Sequence, residues 1–171
     1  MAQADPGRRA FLARAAGAVG AFIAATLGVP LVGATVAPTA RREEVHWTAL
    51  GAEADFPIGS PHLVTFGSTK IDGYVQTTLP RSVWVYRPSP GSIIIYNARC
   101  THLGCLISHR ANSRTFACPC HGGIFAQEDG AVLEGPPPRP LDRLDHRIDE
   151  NGQLQVLYRD FLVGVPNQVA L

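Results

Sequence analysis

Six residues in the middle of the chain carry its densest chemistry: Cys100, His102, Cys105, Cys118, Cys120 and His121. They fall in two boxes, Cys100-Thr101-His102-Leu103-Gly104-Cys105 and Cys118-Pro119-Cys120-His121-Gly122-Gly123, which hold all four cysteines of the sequence. Cysteines packed this tightly imply a metal site, a disulfide, or both. Each box offers one cysteine and one histidine able to reach a common centre, plus one extra cysteine. Two thiolates on one iron and two imidazoles on another would complete a binuclear iron–sulfur cluster. Thiolate is soft and anionic, whereas neutral imidazole raises the potential of the iron it binds. The two extra cysteines can then bridge the boxes. Zinc is the alternative, but zinc sites usually pair like ligands at short spacing, and here each box mixes them. A framework of two disulfides would leave His102 and His121 without a role. His46, His62, His109 and His146 have no cysteine at ligand spacing and read as ordinary surface or core histidines.

Two such boxes need a stiff frame, and the rest of the chain reads as strands. Short apolar runs at residues 45–50, 74–79, 82–87, 92–97, 153–159 and 161–165 are separated by Pro88-Ser89-Pro90-Gly91, Glu128-Asp129-Gly130 and Glu150-Asn151-Gly152. Asn151-Gly152 between apolar flanks predicts a hairpin, because this pair favours the turn that matches strand twist. No stretch after residue 42 has a helical period, so an antiparallel all-β head over residues 45–171 is expected. A chain of 171 residues has room for one such domain and an appendage. A net charge of +1, with no basic or acidic tail, gives no support for a nucleic-acid partner.

The appendage lies at the N-terminus. Arg8-Arg9 precedes Phe11-Leu12, and no charged residue follows from Ala15 to Ala40. This resembles a twin-arginine export signal, with residues 1–14 as its n-region. The apolar segment, taken as 15–37, exceeds the ~20 residues a membrane span needs and the ~15 of a signal-peptide core. A retained single transmembrane anchor is therefore expected, with residues 38–44 as a hinge linker. Thr35-Val36-Ala37 is a weak small-residue cleavage site that would allow removal instead. The twin-arginine reading leaves Arg8, Arg9 and Arg14 in the cytoplasm and puts the head on the extracytoplasmic side of the inner membrane.

The two boxes look like the signature of the Rieske iron–sulfur family, and the match runs from about Trp47 to the C-terminus. Gly135-Pro136-Pro137-Pro138 also resembles the loop that shields the family's cluster. The resemblance implies a Rieske-type antiparallel β-sandwich with an inserted cluster-binding subdomain at about 98–130. It implies a [2Fe–2S] cluster held by Cys100 and Cys118 on the inner iron and by His102 and His121 on the exposed outer iron. It further implies a Cys105–Cys120 disulfide, and Leu103 packing at the tip beside the histidines. Assembly of the cluster in the cytoplasm fits export of a folded domain, while the disulfide belongs to an oxidising compartment.

The resemblance is to the iron–sulfur subunit of cytochrome bc-type quinol:cytochrome c oxidoreductases. It implies a quinol substrate, with a cytochrome b subunit and a c-type cytochrome as partners, and His102 and His121 as the catalytic pair. Many quinol-oxidising members carry serine where this chain has Gly123, and tyrosine where it has Phe125. Hydroxyls there would donate hydrogen bonds to sulfur and stabilise the more negative reduced cluster. Each such bond is worth about 1.5–3 kcal/mol, or roughly 60–130 mV at one electron. Their loss is expected to lower the potential and suit menaquinol, and Gly123→Ser is expected to raise it. Two other readings remain. A soluble Rieske ferredoxin would lack the anchor and the extra cysteines. The small subunit of an exported molybdenum oxidoreductase of the arsenite-oxidase type would share the signal and the fold.

Overall fold

The computed structural model describes residues 6–40, 46–72 and 75–171. Helix α1 (Pro6–Ala40) takes in the arginines that precede the expected span and continues through Pro30. Its stretch Gly7–Val36 has 30 residues and contains an 18-residue window of mean hydropathy 1.9. At 1.5 Å per residue it exceeds the ~30 Å hydrocarbon core of a bilayer, so it is long and apolar enough to cross one. Residues 38–40 of the expected linker continue the helix. The rest of that linker, 41–44, lies outside the described residues, as do Val45 and Tyr74 of the expected strands.

Among its described residues, the head is all-β apart from one short 3-10 turn at Glu53–Asp55. One sheet joins β1 (Trp47–Ala52), β10 (Gln153–Leu157) and β9 (Asp145–Ile148) in that order. A second joins β2 (His62–Asp72), β3 (Val75–Ser89) and β4 (Ser92–Asn97). The third carries β5 (Ser108–Arg110), β6 (Thr115–Ala117), β7 (Ile124–Ala126) and β8 (Val132–Glu134). The first two sheets close on a core of Val83, Val85, Ile95, Leu154, Val156, Phe56 and Leu144.

Strand alternation then does something further. Trp84 and Tyr96, on the opposite face of β3 and β4, pack with Phe116, Phe125, Ile107, Leu141, Cys100 and Cys118 in a second core. Because successive strand residues face opposite sides, residues 83–86 of β3 and 95–97 of β4 are buried on both faces, within runs that read as continuously apolar. These two strands therefore carry the sandwich on one side and the cysteine-bearing subdomain on the other.

Several expectations change in detail. The separate strands at 74–79 and 82–87 merge into β3, which runs through Pro80. Pairing with β4 begins only at Val83, so Pro80 removes no hydrogen bond from that ladder. Strand β2 escaped the sequence reading because Gly67 and Ser68 interrupt its apolar alternation. A Cβ on Gly67 would meet Thr78 Cγ2 at 3.0 Å, so the neighbouring strand occupies that space. Residues 161–165 form no strand; a lone bridge joins Phe161 to Ala170. The Asn151-Gly152 hairpin forms between β9 and β10, with Gly152 at φ +73 and Asp149 Oδ1 accepting from the Asn151 and Gln153 amides, each at 2.9 Å.

Candidate metal centre

Both boxes sit on hairpin tips, and the two tips are built alike. In the first, the Cys100 amide donates to the Cys105 carbonyl at 2.8 Å, and the Gly104 amide returns to the Cys100 carbonyl at 2.9 Å. In the second, the Cys118 amide donates to the Gly123 carbonyl at 2.8 Å, and the Gly122 amide to the Cys118 carbonyl at 3.2 Å. Gly104 and Gly122 hold the same place in each turn, with φ +78 and +71, a conformation that disfavours a side chain. Strands β6 and β7 anchor the second tip. The first is anchored by β4, the Arg99–Leu106 bridge and the bond from the Ile107 amide to the Ala98 carbonyl.

This scaffold sorts the six residues by depth. Cys105 and Cys120 form a disulfide that ties one tip to the other. Cys100 and Cys118 are free thiols, buried at 1% and 3% exposure. Cys118 Sγ lies within 4.8 Å of both disulfide sulfurs. His102 and His121 meet edge to face with ring centroids 4.8 Å apart; His121 is exposed and His102 half-buried. Leu103, 59% exposed, stands next to His102 at the tip.

Two features fit this set to a cluster. His102 Nδ1 is buried and has no hydrogen-bond partner, an arrangement that is costly unless something else satisfies the nitrogen. Burial pushes the Cys100 thiol up to about 11, and the adjacent Cys118 sulfur adds to the rise, while amides of His102 and Leu103 donate to the Cys100 sulfur and oppose it. Metal binding would have to release the Cys100 proton, and the amides favour the anion that remains. Two inward sulfurs and two ring nitrogens are the donor set of a mixed-ligand [2Fe–2S] centre.

A brace behind the first tip was not evident from the sequence. Thr101 Oγ1, fully buried, donates to the Arg139 carbonyl at 2.7 Å, and the Gly164 amide donates to the Thr101 carbonyl at 2.9 Å. The Arg139 side chain, itself buried, donates to both Asp142 carboxylate oxygens and to the Leu162 and Val165 carbonyls. The Leu162 and Val165 carbonyls thus serve Arg139 instead of a ladder. On the other flank, the Gly135–Pro138 segment presses on the second tip: a Cβ on Gly135 would lie 2.8 Å from Gly123 Cα. Phe125, fully buried, pairs with Phe116 across β6 and β7. Of the remaining histidines, His109 bonds Gln127 Oε1 at 2.7 Å and His62 packs edge-on against Phe56, both structural contacts.

The chain is similar to known proteins. The model of the Rieske [2Fe-2S] domain matches residues 46–146. The chain is 33% identical over 149 residues to the cytochrome b6-f complex iron-sulfur subunit of Chlorobaculum tepidum, covering 87% of this chain and 74% of that one. It is 32% identical over 148 residues to the menaquinol:cytochrome c reductase iron-sulfur subunit of Geobacillus thermodenitrificans, covering 84% and 86%. The crystal structure of a plasma membrane Rieske protein from Synechocystis PCC 6803 aligns with TM-score 0.48 at 27% identity, over 64% of this chain and 97% of that one. The cofactor is therefore a Rieske-type [2Fe–2S] cluster, and the chain belongs to the Rieske [2Fe-2S] domain family.

Proposed function

We propose that this chain is the electron-transfer subunit of a membrane-bound quinol:cytochrome c oxidoreductase, accepting one electron from menaquinol and passing it to a c-type cytochrome. Cys100, His102, Cys118 and His121 hold the cluster, which supplies reversible one-electron chemistry when bound. The observation that carries the reading is the division at the tips: two thiols lie buried behind, and two imidazoles meet at the outer edge. With Nδ1 of His102 turned inward, Nε2 across the ring is the atom that takes a proton from a quinol hydroxyl. Leu103 offers the apolar contact beside it, and the disulfide holds both imidazole-bearing tips in register.

The relatives' names, with cytochrome b6-f and menaquinol:cytochrome c reductase subunits among them, support a quinol complex containing a cytochrome b subunit. Gly123 and Phe125, which bring no hydroxyl to the site, support the lower-potential donor. Helix α1 serves as an uncleaved anchor, residues 41–44 as the remaining linker, and the head stands on the extracytoplasmic side.

Electron paramagnetic resonance of the reduced membrane fraction, with a potential titration, tests this. A rhombic signal of low average g is expected, with a midpoint well below the ~+300 mV upper end of such centres. Absence of the signal overturns the ligand set, and a midpoint near that upper end overturns the menaquinol assignment. Haem b in the isolated complex supports the reading; molybdenum would transfer the chain to the arsenite-oxidase type.

A further inference from the structure

Gly123 is the one glycine of the two tips whose conformation does not call for glycine. Gly104 and Gly122 have positive φ, as does Gly135 at +90, whereas Gly123 does not. What excludes a side chain at Gly123 is space. A Cβ there would lie 2.7 Å from Pro137 Cγ and 3.2 Å from Pro137 Cδ, and 3.7 Å from Cys118 Cβ. Both Gly123 and Pro137 are buried. A pyrrolidine ring is fixed to its own backbone and cannot swing aside as a long side chain would. Gly135 secures it there, because its backbone is packed directly against Gly123 and the Gly122 carbonyl.

We infer that Gly123 and Pro137 form a single potential-setting pair, in which the proline ring fills the side-chain position at residue 123 and keeps a hydrogen-bond donor away from the Cys118 sulfur. The inference rests on the reading of Cys118 as a cluster ligand. A hydroxyl one bond beyond a Cβ that lies 3.7 Å from Cys118 Cβ is within reach of that sulfur. A donor there favours the more negative, reduced centre and raises its potential. Pro137 blocks it by volume, so the residue that determines which quinol can reduce the centre lies outside both boxes. Serine at 123 alone would displace the proline segment instead of acquiring the bond.

The test uses the full chain in its membrane complex, with Gly123→Ser, Pro137→Ala, the double variant G123S/P137A and the control G123A/P137A. Pro137→Ala deletes the two ring carbons nearest position 123. Potential titration followed by paramagnetic resonance is read beside the thermal unfolding midpoint. Gly123→Ser alone is expected to melt earlier with no rise in redox midpoint. G123S/P137A should recover melting temperature relative to Gly123→Ser. It should also raise the reduced-to-oxidised ratio at fixed potential about tenfold over Pro137→Ala, or ~59 mV. G123A/P137A should show no such rise. An equal rise in Gly123→Ser alone, or no rise in G123S/P137A over Pro137→Ala, overturns the pairing. If Gly123→Ser does not fold, the two double variants against Pro137→Ala still decide. Loss of the rhombic signal in the unsubstituted protein would instead overturn the ligand reading beneath it.

Discussion

Arg139 is 5% exposed and Asp142 is 5% exposed, so the ion pair they form is taken out of water almost entirely. Its bidentate geometry, at 3.0 and 2.8 Å, satisfies both carboxylate oxygens, and two further guanidinium donors end on the Leu162 and Val165 carbonyls. Removing one partner of such a pair strands the other charge and costs about 3–5 kcal/mol. Arg139→Met is therefore expected to lower stability by that amount in chemical denaturation. Arg139→Met with Asp142→Leu should recover a large part of it, because no stranded charge remains. A loss below ~1 kcal/mol in the single variant would count against this account. Neither residue stood out in the sequence. An Arg and an Asp three apart in a proline-rich segment look like solvated charge until the fold closes over them. The boxes were different, since their residue types are rare and their spacing is chemical.

At the scale of elements, the two hairpin tips repeat one turn, and the repeat was half-legible. Each box has glycine four residues after its first cysteine, and the structure gives both glycines the left-handed conformation. Spacing alone left open how the cysteines pair. The disulfide joins Cys105, at the close of one turn, to Cys120, inside the other, a match that depends on how the tips face each other. A cross-link of this kind typically contributes 2–4 kcal/mol by restricting the unfolded chain. Replacing Cys105 and Cys120 together by serine should cost that much in thermal or chemical unfolding. The same variant should lose iron to a chelator several-fold faster than the unsubstituted protein. Unchanged iron retention would show that the strands hold the tips without the bond. Strands β2 and β3 were read less well. The exposed half of β3 lacks an apolar face, and β2 buries Val64 and Phe66 only partly, so hydrophobic periodicity was weak in both.

For the whole molecule, the proposed function requires export and anchoring, so that the cluster can meet its partners. The arginines Arg8, Arg9 and Arg14 belong to the same continuous helix as the apolar span. Replacing Arg8 and Arg9 by lysine keeps the charge and the span but removes the twin-arginine pair. The variant's head should remain on the cytoplasmic side, protected from protease added to spheroplasts, while the unsubstituted head is digested. Digestion of both to the same extent would rule out the twin-arginine route.

The sequence by itself determined the two cysteine–histidine boxes, the apolar span and the antiparallel class, because each depends on residue type and local spacing. Tertiary structure decided which thiols stay free, how the C-terminal carbonyls brace Thr101 through Arg139, and that Pro137 occupies the space beside Gly123. Those contacts join residues 14 to 63 positions apart in the chain. No local pattern encodes them, since burial and close approach arise only when the two cores and the three sheets have closed.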